Sequence, residues 1–232
     1  MKTKKPYMWV PGLYLGESLP VAAVMLMSVV LYQEMGLSDT QIALYTSWLG
    51  LPWVIKPLWS PFIDTFRTKR WWILSMQLLV GAALAAVALS LPTPMWLQAT
   101  LALFMLVAFA SSTHDISADG FYILGLSNVD QEFYVGVRNT FYRVGLVLGQ
   151  GGLVALAGLL QHSGMHVSVA WSVTFLAVAA LMVLLYMWHV RALPVVEQPA
   201  PSVSRKDILS DFLQTFYVFF RKPHIITALA FI

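Results

Sequence analysis

Two acidic residues, Asp115 and Asp119, lie four positions apart within an apolar stretch that runs from Trp96 to Leu126. In a helix this spacing places both carboxylates on one face, one turn apart. A charge at the centre of a bilayer costs at least ~2.5 kcal/mol, so acids at this depth are typical of functional sites. Two like charges so close together cannot both ionise cheaply, which makes at least one of them a candidate proton acceptor.

Other ionisable side chains recur in separate apolar segments. Glu17 precedes Pro20, which removes one helical hydrogen bond, and is a candidate second proton site. Lys56 and Arg143 can bind an anionic substrate, or can hold helices together through ion pairs with the aspartates, and Lys56 can instead pair with Glu17. Lys56 can also extend to the membrane surface. Acids and bases in four segments predict a polar cavity between helices.

Three polar side chains of one later segment, Asn139, Arg143 and Gln150, return to roughly one helical face because their offsets are four and seven. Four glycines in the same segment are expected to allow close helix packing: Gly145, Gly149, Gly152 and Gly158. The candidate substrate-binding residues are Lys56, Tyr122, Asn139, Tyr142, Arg143 and Gln150.

The composition is that of an integral membrane protein, since 59% of the residues are hydrophobic and 11% are charged. A soluble domain carries ~25% charged residues. The net charge of +3 comes from basic residues at predicted helix ends, which does not fit a nucleic-acid partner. The chain has no cysteine and its five histidines form no ligand pattern, so we expect no metal and no cofactor.

The chain contains six apolar runs that are long enough to span a bilayer, which requires ~20 residues. They cover roughly 8–33, 40–63, 71–91, 96–124, 134–160 and 169–190. The fold class predicted is therefore all-α, a polytopic bundle of six transmembrane helices.

Positive charges in the loops orient this bundle, because Lys and Arg are retained on the cytoplasmic side. They occur before the first span, between spans two and three, and after span six. The loops 34–39, 92–95 and 161–168 contain neither residue type. Both ends of the six-helix unit, including the N-terminus, are thus predicted to be cytoplasmic. The loop between spans four and five, whose Asp130 and Glu132 face the charge of Arg138, is placed inside by parity alone.

The composition changes after Arg191, so we divide the chain into a six-helix unit over 1–191, a cytoplasmic linker over 192–222 and a further apolar segment over 223–232. Within the linker, the apolar spacing between Asp207 and Phe220 predicts an amphipathic helix. The last segment has ten residues, too few to cross a bilayer, and reads as the start of a seventh span. A missing C-terminal half is expected to follow.

Six spans with both ends inside, a linker and a seventh span resemble the N-terminal half of a major facilitator superfamily transporter. The segment from Ser60 to Arg70 is similar to that superfamily's loop between spans two and three, although Thr65 stands where an arginine is usual. The resemblance implies that Asp64, Arg67 and Arg70 form a motif that controls conformational change.

Three stretches, 50–61, 111–122 and 142–149, resemble the AmpG-type anhydromuropeptide permeases, with His114 in place of the more usual glutamine. This resemblance covers most of residues 10–190 and implies a proton-driven importer of cell-wall-derived amino-sugar peptides in the bacterial inner membrane. Related branches carry other cargo, including acetyl-coenzyme A.

Two alternatives stay open: an importer of another small solute, such as a sugar or acetyl-coenzyme A, or an inert half-transporter. An intramembrane aspartyl protease needs acids on two different helices, whereas Asp115 and Asp119 share one, so we do not expect an enzyme.

Overall fold

The structure is a computed structural model that describes residues 5–196 together with Gln214, Tyr217 and Arg221. The regular elements in these residues are all helical. Apart from those three isolated residues, the predicted amphipathic helix of the linker and the start of a seventh span lie outside the described part of the chain.

The described residues form ten α-helices, some of which are connected by short π-helical or 3-10 turns. They are α1 (Val10–Ala22), α2 (Ser28–Glu34), α3 (Asp39–Leu49), α4 (Leu51–Ile55), α5 (Ser60–Thr65), α6 (Lys69–Ser90), α7 (Trp96–Gly125), α8 (Asn128–Val147), α9 (Val154–His162) and α10 (Val167–Ala192). Two π-helical turns, Ala23–Met27 and Leu148–Leu153, connect α1 to α2 and α8 to α9. A 3-10 turn, Lys56–Leu58, connects α4 to α5.

Five continuous helical stretches in the described residues are long and apolar enough to cross a membrane. They are Pro6–Glu34, Lys69–Ser90, Trp96–Gly125, Asn128–His162 and Val167–Ala192. The protein is thus an integral, multi-pass helical bundle, as the composition predicted. The fourth stretch begins at Asn128, six residues before the start expected from hydropathy, because Ser127 caps it by accepting a hydrogen bond from the Asp130 amide at 3.2 Å.

Residues from distant parts of the chain meet at the end of the bundle where α1 begins. The Trp188 indole donates to the Met8 carbonyl at 2.9 Å, and the Arg70 guanidinium donates to the Val190 carbonyl at 2.7 Å. The start of α1, the start of α6 and the last turns of α10 therefore lie together.

At the opposite end of the bundle, Glu34 at the end of α2 connects α2 to α9 and α10. Its carboxylate accepts from the Gln161 amide at 2.6 Å and from the Trp171 indole at 2.7 Å. Since Glu34 and Arg70 lie at opposite ends, the chain between them runs the length of the bundle. The segment 40–63, the second crossing of the bundle, thus runs from one end to the other, but it is not among the five described stretches that are long and apolar enough to span a membrane.

That second crossing is not the single helix that hydropathy predicted. It is divided into α3, α4 and α5, with breaks at Gly50 and at the 3-10 turn that contains Pro57. Proline lacks the amide hydrogen that a helix interior needs, and Pro52, Pro57 and Pro61 each lie at the start of one of these short pieces. The interruption places the backbone of Lys56 beside α7.

The buried core lies where α6 packs against α7 and α10, which form the most extensive contacts in the bundle. Phe175 contacts Phe104 and Trp171, with ring centroids 5.5 Å and 5.7 Å apart, and all three side chains are fully buried. A second cluster near the start of α1 joins Trp9 to Phe121 of α7 at 5.2 Å. These contacts hold α1 and α7 against each other.

Gly145 and Gly149 let the stretch Asn128–His162 approach α1, as the sequence predicted for them. A Cβ atom at Gly145 would clash with the Ser18 side chain, and one at Gly149 would clash with the Ala22 Cβ. Gly151, two residues further on, has no heavy atom within 4 Å of the corresponding position. The absence of a side chain is therefore required at two positions of this stretch.

The same prediction is wrong for Gly158, where a Cβ atom would meet open space. At Gly152 a Cβ atom would meet only Leu148 of the same stretch.

We expect Gly149→Ala to destabilise the protein by about 1–3 kcal/mol, because the added methyl group overpacks the contact with Ala22. Gly151→Ala is the matched control, since it gains the same helix propensity and meets open space. Thermal unfolding in detergent, followed by loss of the monodisperse elution peak, measures the difference. Equal midpoints for the two variants would contradict the close packing of α1 and α8.

Candidate functional site

A cavity of about 400 Å³ opens between α1, α4, α7 and α8. Its wall combines charged, amide and aromatic side chains. The lining residues are Tyr14, Glu17, Val21, Met25, Gly50, Trp53, Asp115, Arg138, Asn139 and Tyr142. The polar cavity that the sequence predicted is thus present, and Glu17, Asp115, Asn139 and Tyr142 were among its predicted residues.

Three carboxylates meet at this cavity, although they come from two helices 98 residues apart in the chain. Glu17 of α1 and Asp115 and Asp119 of α7 each place one oxygen within 4.8 Å of the others. Glu17 is the most enclosed, with 6% of its surface exposed, and one of its oxygens is buried with no hydrogen-bond partner. Such a cluster could hold a cation, but two basic side chains already lie against it.

Lys56 provides the first of these bases. Its ammonium group lies 2.5 Å from Asp115 Oδ2, so of the alternatives open for Lys56 the structure contains the ion pair with span four. The 3-10 turn that follows α4 carries this lysine, and α4 itself contacts α7. A second contact with α7 is the hydrogen bond that the Trp59 indole, directly after this turn, donates to the Thr113 hydroxyl at 3.2 Å. The break in the second crossing therefore positions the partner of Asp115.

Arg138 of α8 provides the second base. The orientation predicted from loop charges groups this arginine with two acidic residues in the loop between spans four and five, whereas the structure places it inside a helix. Its guanidinium lies 3.1 Å from Asp119 Oδ1 and stacks over the rings of Tyr14 and Tyr122, at 4.6 Å and 5.4 Å from their centroids. The Tyr14 hydroxyl donates to the same aspartate oxygen at 3.1 Å. Tyr122, a predicted substrate contact, instead donates to the Gln131 carbonyl at 2.6 Å.

The candidates Arg143 and Gln150 lie outside the cavity wall. Both are exposed, and Arg143 forms no ion pair among the described residues. Gln150 was placed on the face of Asn139 by counting 3.6 residues per turn, but it belongs to the π-helical turn Leu148–Leu153, which inserts a residue and rotates the rest of the helix. Only Asn139 of that predicted face lines the cavity.

A buried polar network that the sequence did not indicate lies behind the acids. The Gln77 amide nitrogen is 3.1 Å from His114 Nε2 and 2.9 Å from His189 Nδ1, and all three side chains are fully enclosed. Gly12 and Gly16 of α1 leave room for it, because a Cβ atom on Gly12 would lie 2.9 Å from His189 Nε2. The network fixes α1 against α6, α7 and α10 next to the residues that carry Glu17 and Asp115.

The predicted motif residues Asp64, Arg67 and Arg70 do not pair with one another. Asp64 forms its ion pair with Lys69, whose stem lies against Gly120 of α7. Arg67 adopts a left-handed backbone with φ of 67°. Asp64, at the end of the second crossing, thus pairs with Lys69, the first residue of α6. Because the stem of Lys69 also contacts α7, this ion pair connects the loop to both α6 and α7.

Comparisons with known proteins identify a family and several similar transporters. The model of the BT1 family matches residues 15–132, a range that contains all three acids and Lys56. AmpG 4 of Rickettsia conorii, which is named as a transporter, is 25% identical over 225 residues, or 92% of this chain and 52% of that protein. The anhydromuropeptide permease of Escherichia coli K12 is 30% identical over 118 residues, or 49% of this chain and 24% of the permease.

The chain spans about half the length of the first of these relatives and a smaller share of the second. The family match covers just over half of the chain and includes the crossings that build the acid cluster. Because this match covers more than half of its residues, the chain belongs to the BT1 family.

Proposed function

We propose that this chain forms one half of a secondary transporter that couples proton movement to the import of cell-wall-derived anhydromuropeptides across the bacterial inner membrane. The single observation that carries the coupling mechanism is the meeting of Glu17, Asp115 and Asp119 within 4.8 Å beside two bases. The family match and the relatives named as permeases support the transport activity.

The charges of the cluster support a stoichiometry of one proton. Lys56 and Arg138 balance two of the three carboxylates, so full ionisation would leave one uncompensated negative charge. On an acid as enclosed as Glu17 such a charge is costly, and binding one proton removes it. Glu17 is the residue to which we assign the proton, because it is the most enclosed acid and no base pairs with it among the described residues.

Proton binding can then be linked to a change of shape. When Glu17 releases its proton, its carboxylate competes with Asp115 and Asp119 for Lys56 and Arg138, which belong to the second crossing and to α8. Moving either base shifts a helix that borders the cavity. A ligand changes a conformational equilibrium only through a difference in affinity between its states, and this exchange of partners supplies such a difference for the proton.

The cavity also suits the proposed substrate. Trp53 and Tyr142 provide flat surfaces for sugar rings, Asn139 provides an amide, and Arg138 can bind a peptide carboxylate through two hydrogen bonds. The Escherichia coli relative is named for the same cargo. The coupling mechanism would be the same if the substrate were a sugar or acetyl-coenzyme A. Uptake assays with each labelled compound would show which of the three is transported.

The second half of the path is proposed to pack beside α8 and α9. The stretch Asn128–His162 is the least buried of the five, and Arg143 and Gln150 are exposed along it. In the proposed transporter these two side chains line the path from the far side of the cavity, and alternating access moves one half against the other. The end at which α1 begins is proposed to be cytoplasmic, and Asp64 with Arg67 and Arg70 to control closure there.

We expect Glu17→Gln in the full-length protein to abolish substrate accumulation driven by a pH gradient, because an amide cannot carry the proton. Exchange of labelled for unlabelled substrate across the membrane should continue, since exchange needs no net proton movement. Glu132→Gln, at an exposed acid outside the cavity, is the matched control and should behave as the wild type. Gradient-driven accumulation that survives Glu17→Gln would overturn the assignment of the proton.

Asp115→Asn and Asp119→Asn are also expected to uncouple uptake, for a different reason. Each removes one partner of Lys56 or Arg138, so the freed base can balance an ionised Glu17 and no proton is needed. Uptake measured against external pH should lose its dependence on pH in both variants. Full pH dependence in both would show that the aspartates do not set the charge of the cluster.

Arg138→Gln is expected to raise the substrate concentration for half-maximal uptake by about tenfold or more, because a charge-assisted hydrogen bond is worth about 1.5–3 kcal/mol. Arg138→Lys should recover only part of the loss, since an ammonium group cannot form the paired bonds of a guanidinium. Arg143→Gln tests the proposed role of the exposed arginine in the same assay. Equal affinity in Arg138→Gln and wild type would exclude Arg138 from the substrate site.

A further inference from the structure

A second cleft, of about 320 Å³, lies between the start of α6 and the last turns of α10. One part of its wall is polar and the rest is apolar. The lining residues are Thr68, Arg70, Trp71, Leu74, Ser75, Leu78 and Tyr186. None of them lines the cavity proposed for the substrate.

The polar part of this cleft carries positive potential. Arg70 is held in place by its hydrogen bond to the Val190 carbonyl at 2.7 Å, while its Nε atom is buried with no hydrogen-bond partner. Arg67 adds a second guanidinium at the rim, 5.8 Å from the centre of the Trp71 ring. The cleft also opens at the N-terminus of α6, a helix of 22 residues, where the helix dipole favours an anion.

The apolar part continues along α6 toward the middle of the bundle. Leu74 and Leu78 follow Arg70 at helical spacing, and 47% of Leu78 and 44% of Trp71 are exposed. In a membrane-spanning helix such surfaces contact lipid chains. The cleft thus has a basic, hydroxyl-bearing end at the helix terminus and an apolar strip that leads from it into the bilayer.

We infer that this cleft binds an anionic phospholipid, with its phosphate at Arg70 and its acyl chain along Leu74 and Leu78. A free phosphate would use only the basic end. A zwitterionic lipid also has a phosphate, but its quaternary ammonium group is repelled by Arg67 and Arg70, so a lipid with net negative charge should bind more tightly. Basic pockets between transmembrane helices at the anionic membrane surface recognise lipid headgroups in this way. The bound lipid would join α6 to α10 at the end of the bundle where Asp64 and Lys69 meet.

The test uses the full chain in detergent with an equimolar mixture of phosphatidylglycerol and phosphatidylcholine that have the same acyl chains. Native mass spectrometry then gives the ratio of the two lipids that stay bound. Since a basic residue near an anionic surface contributes about 1 kcal/mol, we expect Arg70→Gln to reduce the preference for phosphatidylglycerol by about fivefold. Lys5→Gln removes one positive charge at the same end, outside the cleft, and should leave the ratio unchanged.

Ser75→Phe fills the cleft while it retains both arginines, so it should lower bound phosphatidylglycerol even if Arg70→Gln folds poorly. Excess inorganic phosphate should not displace the lipid. Equal retention of the two lipids by the wild type, an unchanged ratio in Arg70→Gln, an unaffected Ser75→Phe, or displacement by inorganic phosphate would each overturn the proposal.

Discussion

Three carboxylates whose oxygens lie within 4.8 Å of one another cannot all be charged inside a membrane protein without partners, and this constraint shapes the surrounding bundle. Lys56 and Arg138 supply two positive charges, each from a different structural element. The remaining acid, Glu17 of α1, is 6% exposed and pairs with no base among the described residues. In the proposed mechanism one proton makes the cluster neutral, because the surrounding helices supply three acids and two bases.

The irregular parts of the bundle are the parts that position these charges. The proline-rich break in the second crossing brings Lys56 to Asp115, and the early start of α8 brings Arg138 to Asp119. Gly145 of α8 and Gly149 of the following turn pack closely against α1. The two π-helical turns, Ala23–Met27 and Leu148–Leu153, contact each other beside the cavity. Turns of this kind interrupt the regular hydrogen bonds of a helix and are frequent at functional sites.

Much of this arrangement could be predicted from the sequence, because charges are rare at membrane depth and helical spacing is regular. That reasoning identified Asp115, Asp119 and Glu17 and the five continuous spans of the described residues. It missed features that depend on local backbone geometry. Arg138 was hidden because Asp130 and Glu132 precede it and resemble a loop, although Ser127 caps a helix there. A basic residue three helical turns after a helix-capping serine was the signal that could have identified it.

We propose that Glu17, the acid of the cluster without a base partner among the described residues, carries one exchangeable proton. Infrared difference spectroscopy across a pH titration detects such a proton through the C=O stretch of protonated carboxyl groups. We expect one such band, which shifts with substrate binding and is lost in Glu17→Gln. A band that persists in Glu17→Gln and disappears in Asp115→Asn or Asp119→Asn would contradict it, because the proton would then reside on an acid that the structure pairs with a base.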